Sequence, residues 1–203
     1  MTLTTTLALF GAMLVFAMIP GPGVFIVVAR SISSGFRHGA ATVAGIVLGD
    51  YVFILISVLG LVVMADVMGR FFILLKYAGA AYLLWLAFSL WRADTRRQDI
   101  SVKEPPFTSN LIAGLLTSLG NPKVILFYMG FFPAFLDLSA LSTMDLFWLL
   151  LVTAVSIGSV LLSYAWAASR ARHMLSSQRA QRSINRTASG IFACSGVLLA
   201  TKV

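Results

Sequence analysis

The sequence predicts an all-α integral membrane protein with six transmembrane helices, arranged as a 3+3 inverted repeat. Three observations predict it: a strongly apolar composition, a series of apolar runs of spanning length, and Pro/Gly interruptions in the first and fourth runs. Of 203 residues, 59% are hydrophobic and 11% charged, with a mean hydropathy of +0.94. Soluble domains carry about 25% charged residues. Apolar runs recur along the whole chain, leaving no stretch for a separate soluble domain. Residues 1–203 therefore read as one transmembrane unit, with repeat halves of about 1–95 and 105–203 joined by a cytoplasmic loop.

A hydrocarbon core of about 30 Å takes about 20 apolar residues in helical form. Six runs meet that length, at about 4–30, 39–64, 71–91, 107–135, 145–168 and 185–201. The first and fourth are long for one span, and both contain helix breakers. No Lys or Arg precedes the first run, and the first basic residue, Arg30, follows it. The N-terminus thus does not read as a cleaved signal. Cys194 is the only cysteine, which excludes an intramolecular disulfide and a Cys-x-x-Cys redox pair. Its expected place is the core of the last helix.

The formal charge of +8 follows membrane topology rather than nucleic-acid binding, because the basic residues gather in short loops. Arg30 and Arg37 mark the first loop. Arg92, Arg96, Arg97 and Lys103 mark the third, and Arg170, Arg172, Arg179, Arg182 and Arg186 the fifth. The opposite side holds Arg70, Lys202, Asp66, Asp137 and Asp145, with Lys76 near it. Basic loops face the cytoplasm, so both termini are expected outside. Trp91, Trp148 and Trp166 fall near span ends, where interfacial anchors belong.

Three stretches of the first half align in order with the second. GPGVFI (Gly21–Ile26) matches NPKVIL (Asn121–Leu126) at an offset of 100, and LGDYVFIL (Leu48–Leu55) matches IGSVLLSY (Ile157–Tyr164) at 109. KYAGAAY (Lys76–Tyr82) matches RTASGIF (Arg186–Phe192) at 110. Three spans per half is an odd number, so the halves cross in opposite senses, a plan used by secondary transporters. Pro22 and Pro122 then occupy equivalent places.

Proline lacks an N–H and clashes with the preceding turn, so a helix stops before Pro20 and Pro22. It can restart with Pro22 as its first residue, which leaves the amides of Gly23, Val24 and Phe25 without intrahelical acceptors. In the fourth run Asn121 is a good N-cap and Pro122 a good first residue, with Lys123 and Val124 following. Backbone freed in this way is tolerated at membrane depth only where it is buried in protein or lines a watery cavity. Each helix start carries about half a positive charge, so a carboxylate is the natural ligand. Gly21 and Gly23 allow close approach to the backbone. The carbonyls before the break, around Ala17 to Ile19, suit an ammonium group. The competing reading is a pair of ordinary proline kinks.

Asp50 lies near the middle of the second run, where a carboxylate costs about 2.5–3.5 kcal/mol. It is a candidate proton carrier, or a partner for a substrate ammonium. The structural alternative is an ion pair with Lys123. Lys123 itself has three open uses: contacting a carboxylate, pairing with Asp50, or snorkelling to the outer face. Gly45 and Gly49 have the spacing for close helix packing. Tyr128 and Tyr164 either line a cavity or bond a neighbouring helix. Phe127, Phe131, Phe132 and Phe135 read as core or lipid-facing bulk.

The chain resembles the LysE/RhtB family of amino-acid exporters across almost its whole length. The resemblance rests on PGPG (Pro20–Gly23), GFRHGAATVAGIVLGD (Gly35–Asp50), KYAGAAYLLWLAFSLWR (Lys76–Arg92) and GNPKVILFYMGFFPAF (Gly120–Phe135). It implies a bacterial inner-membrane antiporter exporting amino acids or their derivatives, driven by the proton gradient. Functional weight falls on the Pro-Gly-Pro-Gly and Asn-Pro-Lys breaks. The expected partners are an amino acid, a proton and the lipid bilayer; a homo-oligomer is left open. No nucleic acid, cofactor, metal or catalytic residue is expected. The nearest alternative is a divalent metal-ion exporter. It would require clustered carboxylates or histidines, whereas His38 and His173 fall in or beside cytoplasmic loops and Asp50 is the only deep acid.

Overall fold

The computed structural model describes residues 1–60, 65–92, 106–128, 136, 141–171 and 178–202. Eight helices follow in order: α1 (Leu3–Met18), α2 (Pro22–Ser34), α3 (Phe36–Gly60), α4 (Ala65–Arg92), α5 (Phe107–Leu119), α6 (Pro122–Leu126), α7 (Thr143–Ala171) and α8 (Gln178–Lys202). The first expected span is α1 plus α2 and the fourth is α5 plus α6, each interrupted where the prolines and glycines stand. The expected loop 93–105, with Phe131, Phe132, Phe135 and Asp137, lies outside the described residues.

Local chemistry sets these boundaries. Thr2 caps α1 by accepting the Thr5 amide at 3.2 Å. Gly21 is extended, with φ −163°, and Pro22 occupies the first turn of α2. α2 ends at Gly35, whose φ of 88° favours glycine and lets α3 begin one residue later. Asn121 caps α6 by accepting the Lys123 amide at 3.1 Å, with Pro122 again first.

Among the described residues, the Phe36–Val58 part of α3 and the whole of α7 are each long and apolar enough to cross a membrane. α1 and α2, bent by 61° at their break, make a third span if counted together. The expected fourth span would need α5 and α6 together, since α5, with 13 residues, is too short to cross alone. α4 and α8 have 28 and 25 residues, or about 42 and 37 Å of helix.

Close packing centres on α3 against α5 and on α4 against α8. The expected role of Gly45 and Gly49 holds. A Cβ on Gly45 would strike the Leu111 carbonyl of α5, and one on Gly114 would strike the Thr42 carbonyl of α3. A Cβ on Gly49 would lie 2.6 Å from Ser118 Cβ. On the other flank, Gly79 of α4 meets the backbone of Gly120, at the α5–α6 break. Gly45→Val therefore pushes a branched side chain into backbone that cannot yield. It is expected to cost about 3 kcal/mol or more and to lower the thermal unfolding midpoint in detergent. Gly190→Ala, with nothing within 4 Å, is expected to leave the midpoint unchanged.

The core runs through the middle of the bundle, with Leu9, Met13, Phe53, Ile54, Tyr128 and Leu149 wholly buried. Trp91, Trp148 and Trp166 are exposed at helix ends, as anchors should be. Cys194 corrects its expectation: it is exposed on α8 rather than in the core. In an apolar helix the lipid face and the core face look alike in sequence, so its side was not legible.

Candidate functional site

The two breaks meet. Gly21, Gly23 and Val24 from the start of α2, and Asn121 and Lys123 from the start of α6, line one small cavity. Asp50 of α3 completes its polar wall, while Ile46, Ile157 and Leu161 close it with apolar side chains. Pro22 and Pro122 start their helices without lining the cavity, and Pro20 stands exposed beside it. The volume is about 30 Å³, room for about one water molecule. In this conformation the site is small and largely filled by its own side chains.

Asp50 is 1% exposed and accepts a hydrogen bond from Ser118 Oγ at 2.8 Å. Ser118 sits in the last turn of α5, and its carbonyl accepts the Asn121 amide at 3.0 Å. Two bonds therefore link the deep carboxylate to the second break. The missing side chain at Gly49 is what lets Ser118 come so close. Its neighbour Tyr51 points to α7, donating to the Leu150 carbonyl at 3.1 Å.

Lys123 and Asp50 line the same cavity, with no direct salt bridge between them among the described residues. The Lys123 ammonium donates to the carbonyls of Phe16, at 2.5 Å, and Ile19, at 2.6 Å. It also lies 4.3 Å from the centre of the Phe16 ring. These are carbonyls of the broken end of α1, the place expected to receive a ligand ammonium. The stem of Lys123 runs past Gly21, where a Cβ would stand 3.5 Å from its Cδ. Tyr164 serves a neighbouring helix, donating to the Met18 carbonyl at 3.1 Å. The last turn of α1 is thus held by side chains from two other elements. Phe16 stacks on Phe127 at 4.3 Å, which fixes the ring beneath the ammonium.

On the opposite side, the Gly23 and Val24 amides begin α2 and have no acceptor within their helix. The Phe25 amide is satisfied by the Gly21 carbonyl at 3.1 Å, so the free donors are two rather than the expected three. The site can accordingly offer amide donors to an anion and carbonyl acceptors to a cation, within one small space. Ser118 and Phe16 were not singled out from the sequence. The Gly45/Gly49 spacing was the available signal for Ser118, since it announces a close partner helix; nothing local announces Phe16. No group of three His, Cys, Asp or Glu side chains that could hold a metal occurs among the described residues.

The chain is similar in sequence to known membrane transport proteins. The family described as LysE type translocator matches residues 14–203. An uncharacterized membrane protein of Synechocystis is 38% identical over 95% of this chain and 94% of its own length. A leucine efflux protein of Klebsiella pneumoniae is 32% identical over 77% of this chain and 74% of its own. One from Enterobacter is 32% identical over 72% and 71%. No solved structure matches the chain.

Proposed function

This chain belongs to the LysE type translocator family, and on that premise we propose that it is a secondary transporter exporting a neutral, apolar amino acid in exchange for protons. Leucine is the first candidate, because similar proteins are leucine efflux proteins. The observation that carries the reading is the meeting of both broken spans with a buried carboxylate at one cavity.

The substrate carboxylate faces the Gly23 and Val24 amides, where the helix dipole and two free donors favour it. The substrate ammonium takes the Phe16 and Ile19 carbonyls, displacing Lys123. Asp50 carries the proton, and its bond to Ser118 transmits the change in charge to the second break. Alternation follows from an inverted 3+3 repeat. The packing of α3 on α7 and of α4 on α8 supports it, since exchanging the halves maps each pair onto itself. The protein sits in the bacterial inner membrane, basic loops inward and both termini outward. A divalent-cation exporter gains no support from a site with one carboxylate.

The test uses liposomes carrying the purified protein and loaded with labelled leucine. Acidifying the outside is expected to accelerate efflux above that of empty liposomes. In the same preparation, Gly23→Val is expected to weaken leucine binding by about tenfold or more with little change in unfolding midpoint. The first added carbon has ordinary space, 3.5 Å from Ile46 Cδ1, and the branch then fills the cavity. Normal leucine binding in this variant would place the substrate elsewhere.

A further inference from the structure

A second, larger cavity of about 440 Å³ lies between α2, α4, α5 and α8. It shares no residue with the site at the breaks. Its two ends differ in chemistry. Arg30, Ser33, Ser89, Ser109 and Asn185 cluster near the helix ends that border the basic loops. Ile26, Tyr82, Leu86, Ile112, Leu116 and Phe192 line the deeper part.

Arg30 is the unusual residue. Arg37 lies over the ring of Phe107 at 5.7 Å, Arg92 over Phe88 at 4.3 Å, Arg170 over Trp166 at 5.6 Å and Arg186 over Trp91 at 5.6 Å. These pairs mark an interfacial belt. The half-buried Arg30 has neither a ring nor a hydrogen-bond acceptor for its guanidinium among the described residues. The side chains of Ser89, Ser109 and Asn185 likewise make no hydrogen bond there. Four polar side chains with unused donors thus surround one space, and no carboxylate lines it. A free zwitterion would find a partner for its carboxylate but no counter-charge for its ammonium.

The wall toward the bilayer is open: Trp85, Ile112 and Leu116 are 60%, 51% and 38% exposed. A ligand can enter sideways from lipid, with its charged end at the interface and its apolar end deeper. We propose that this cavity binds an anionic phospholipid from the leaflet on the basic-loop side. The phosphate sits on Arg30 and the neighbouring hydroxyls, and an acyl chain lies along Leu86, Ile112 and Leu116. Basic pockets between membrane helices bind anionic head groups by this chemistry.

Delipidated protein exposed to equal amounts of phosphatidylglycerol and phosphatidylcholine, then examined by native mass spectrometry, tests it. Preferential retention of phosphatidylglycerol is expected. Arg30→Gln should reduce that preference about fivefold, the effect of one basic contact, and Arg30→Lys should restore most of it. Ala29→Phe keeps the charge, narrows the cavity and should reduce retention even if the Arg30 variants fold poorly. Equal retention of both lipids by the wild type would overturn the proposal. So would displacement of the lipid by inorganic phosphate, which would make this a site for phosphate alone. Displacement by leucine would overturn it too, by assigning the cavity to the transport path.

Discussion

Asp50→Asn is expected to leave the protein folded and to abolish the response of leucine efflux to a pH gradient. A carboxylate at this depth costs about 3 kcal/mol on insertion scales, so its amide should not lower stability. The amide also keeps the packing, and its carbonyl oxygen can still accept from Ser118 Oγ, now 2.8 Å from the carboxylate. What is lost is a group that can gain and release a proton beside the second break. In liposomes with an acidic exterior, variant efflux should match wild-type efflux measured without a gradient. Leucine–leucine exchange, which needs no net proton movement, should persist. A wild-type gradient response in the variant would remove Asp50 from the coupling step.

Lys123→Met carries the second large effect, and its sign is informative. The wild-type ammonium holds the Phe16 and Ile19 carbonyls, and hydrogen bonds to charged groups contribute about 1.5–3 kcal/mol each. A substrate ammonium must displace it. Methionine keeps the length of the stem against Gly21 and Phe16 but removes the competitor. Leucine affinity should therefore rise by about tenfold or more. Gradient-driven net efflux should fall, because the empty site loses the tethered cation that occupies its carbonyls, while exchange continues. Weaker leucine binding would instead assign Lys123 to the substrate carboxylate. Isothermal titration of the purified protein reads the sign directly.

The parts of this fold legible in the sequence are those set by local chemistry. Pro22, Pro122 and Asn121 dictate where helices start without reference to the rest of the chain, and each does so in the structure. The small residues Gly45 and Gly49 announced a close helix, though not which one. The partners of the charged groups were not legible. Lys123 reaches carbonyls more than a hundred residues away, and that pairing depends on how two broken spans are docked. Asp50 finds Ser118 only because α3 and α5 cross at Gly49. Arg30 read as a topology signal, since its charge fits the positive-inside pattern whether or not a cavity lies beside it. Its lack of a ring or a hydrogen-bond acceptor among the described residues emerges only when four helices are assembled around it.

On the proposed mechanism the first break recognises a zwitterion, with the α2 amides holding its carboxylate and the α1 carbonyls its ammonium. Competition of labelled leucine exchange by two truncated analogues tests this most directly. Leucinamide lacks the carboxylate, and 4-methylpentanoate lacks the ammonium. Unlabelled leucine should compete fully, and neither analogue should compete at comparable concentration. Equal competition by leucinamide would contradict the account, because the amide start of α2 would then contribute nothing to binding.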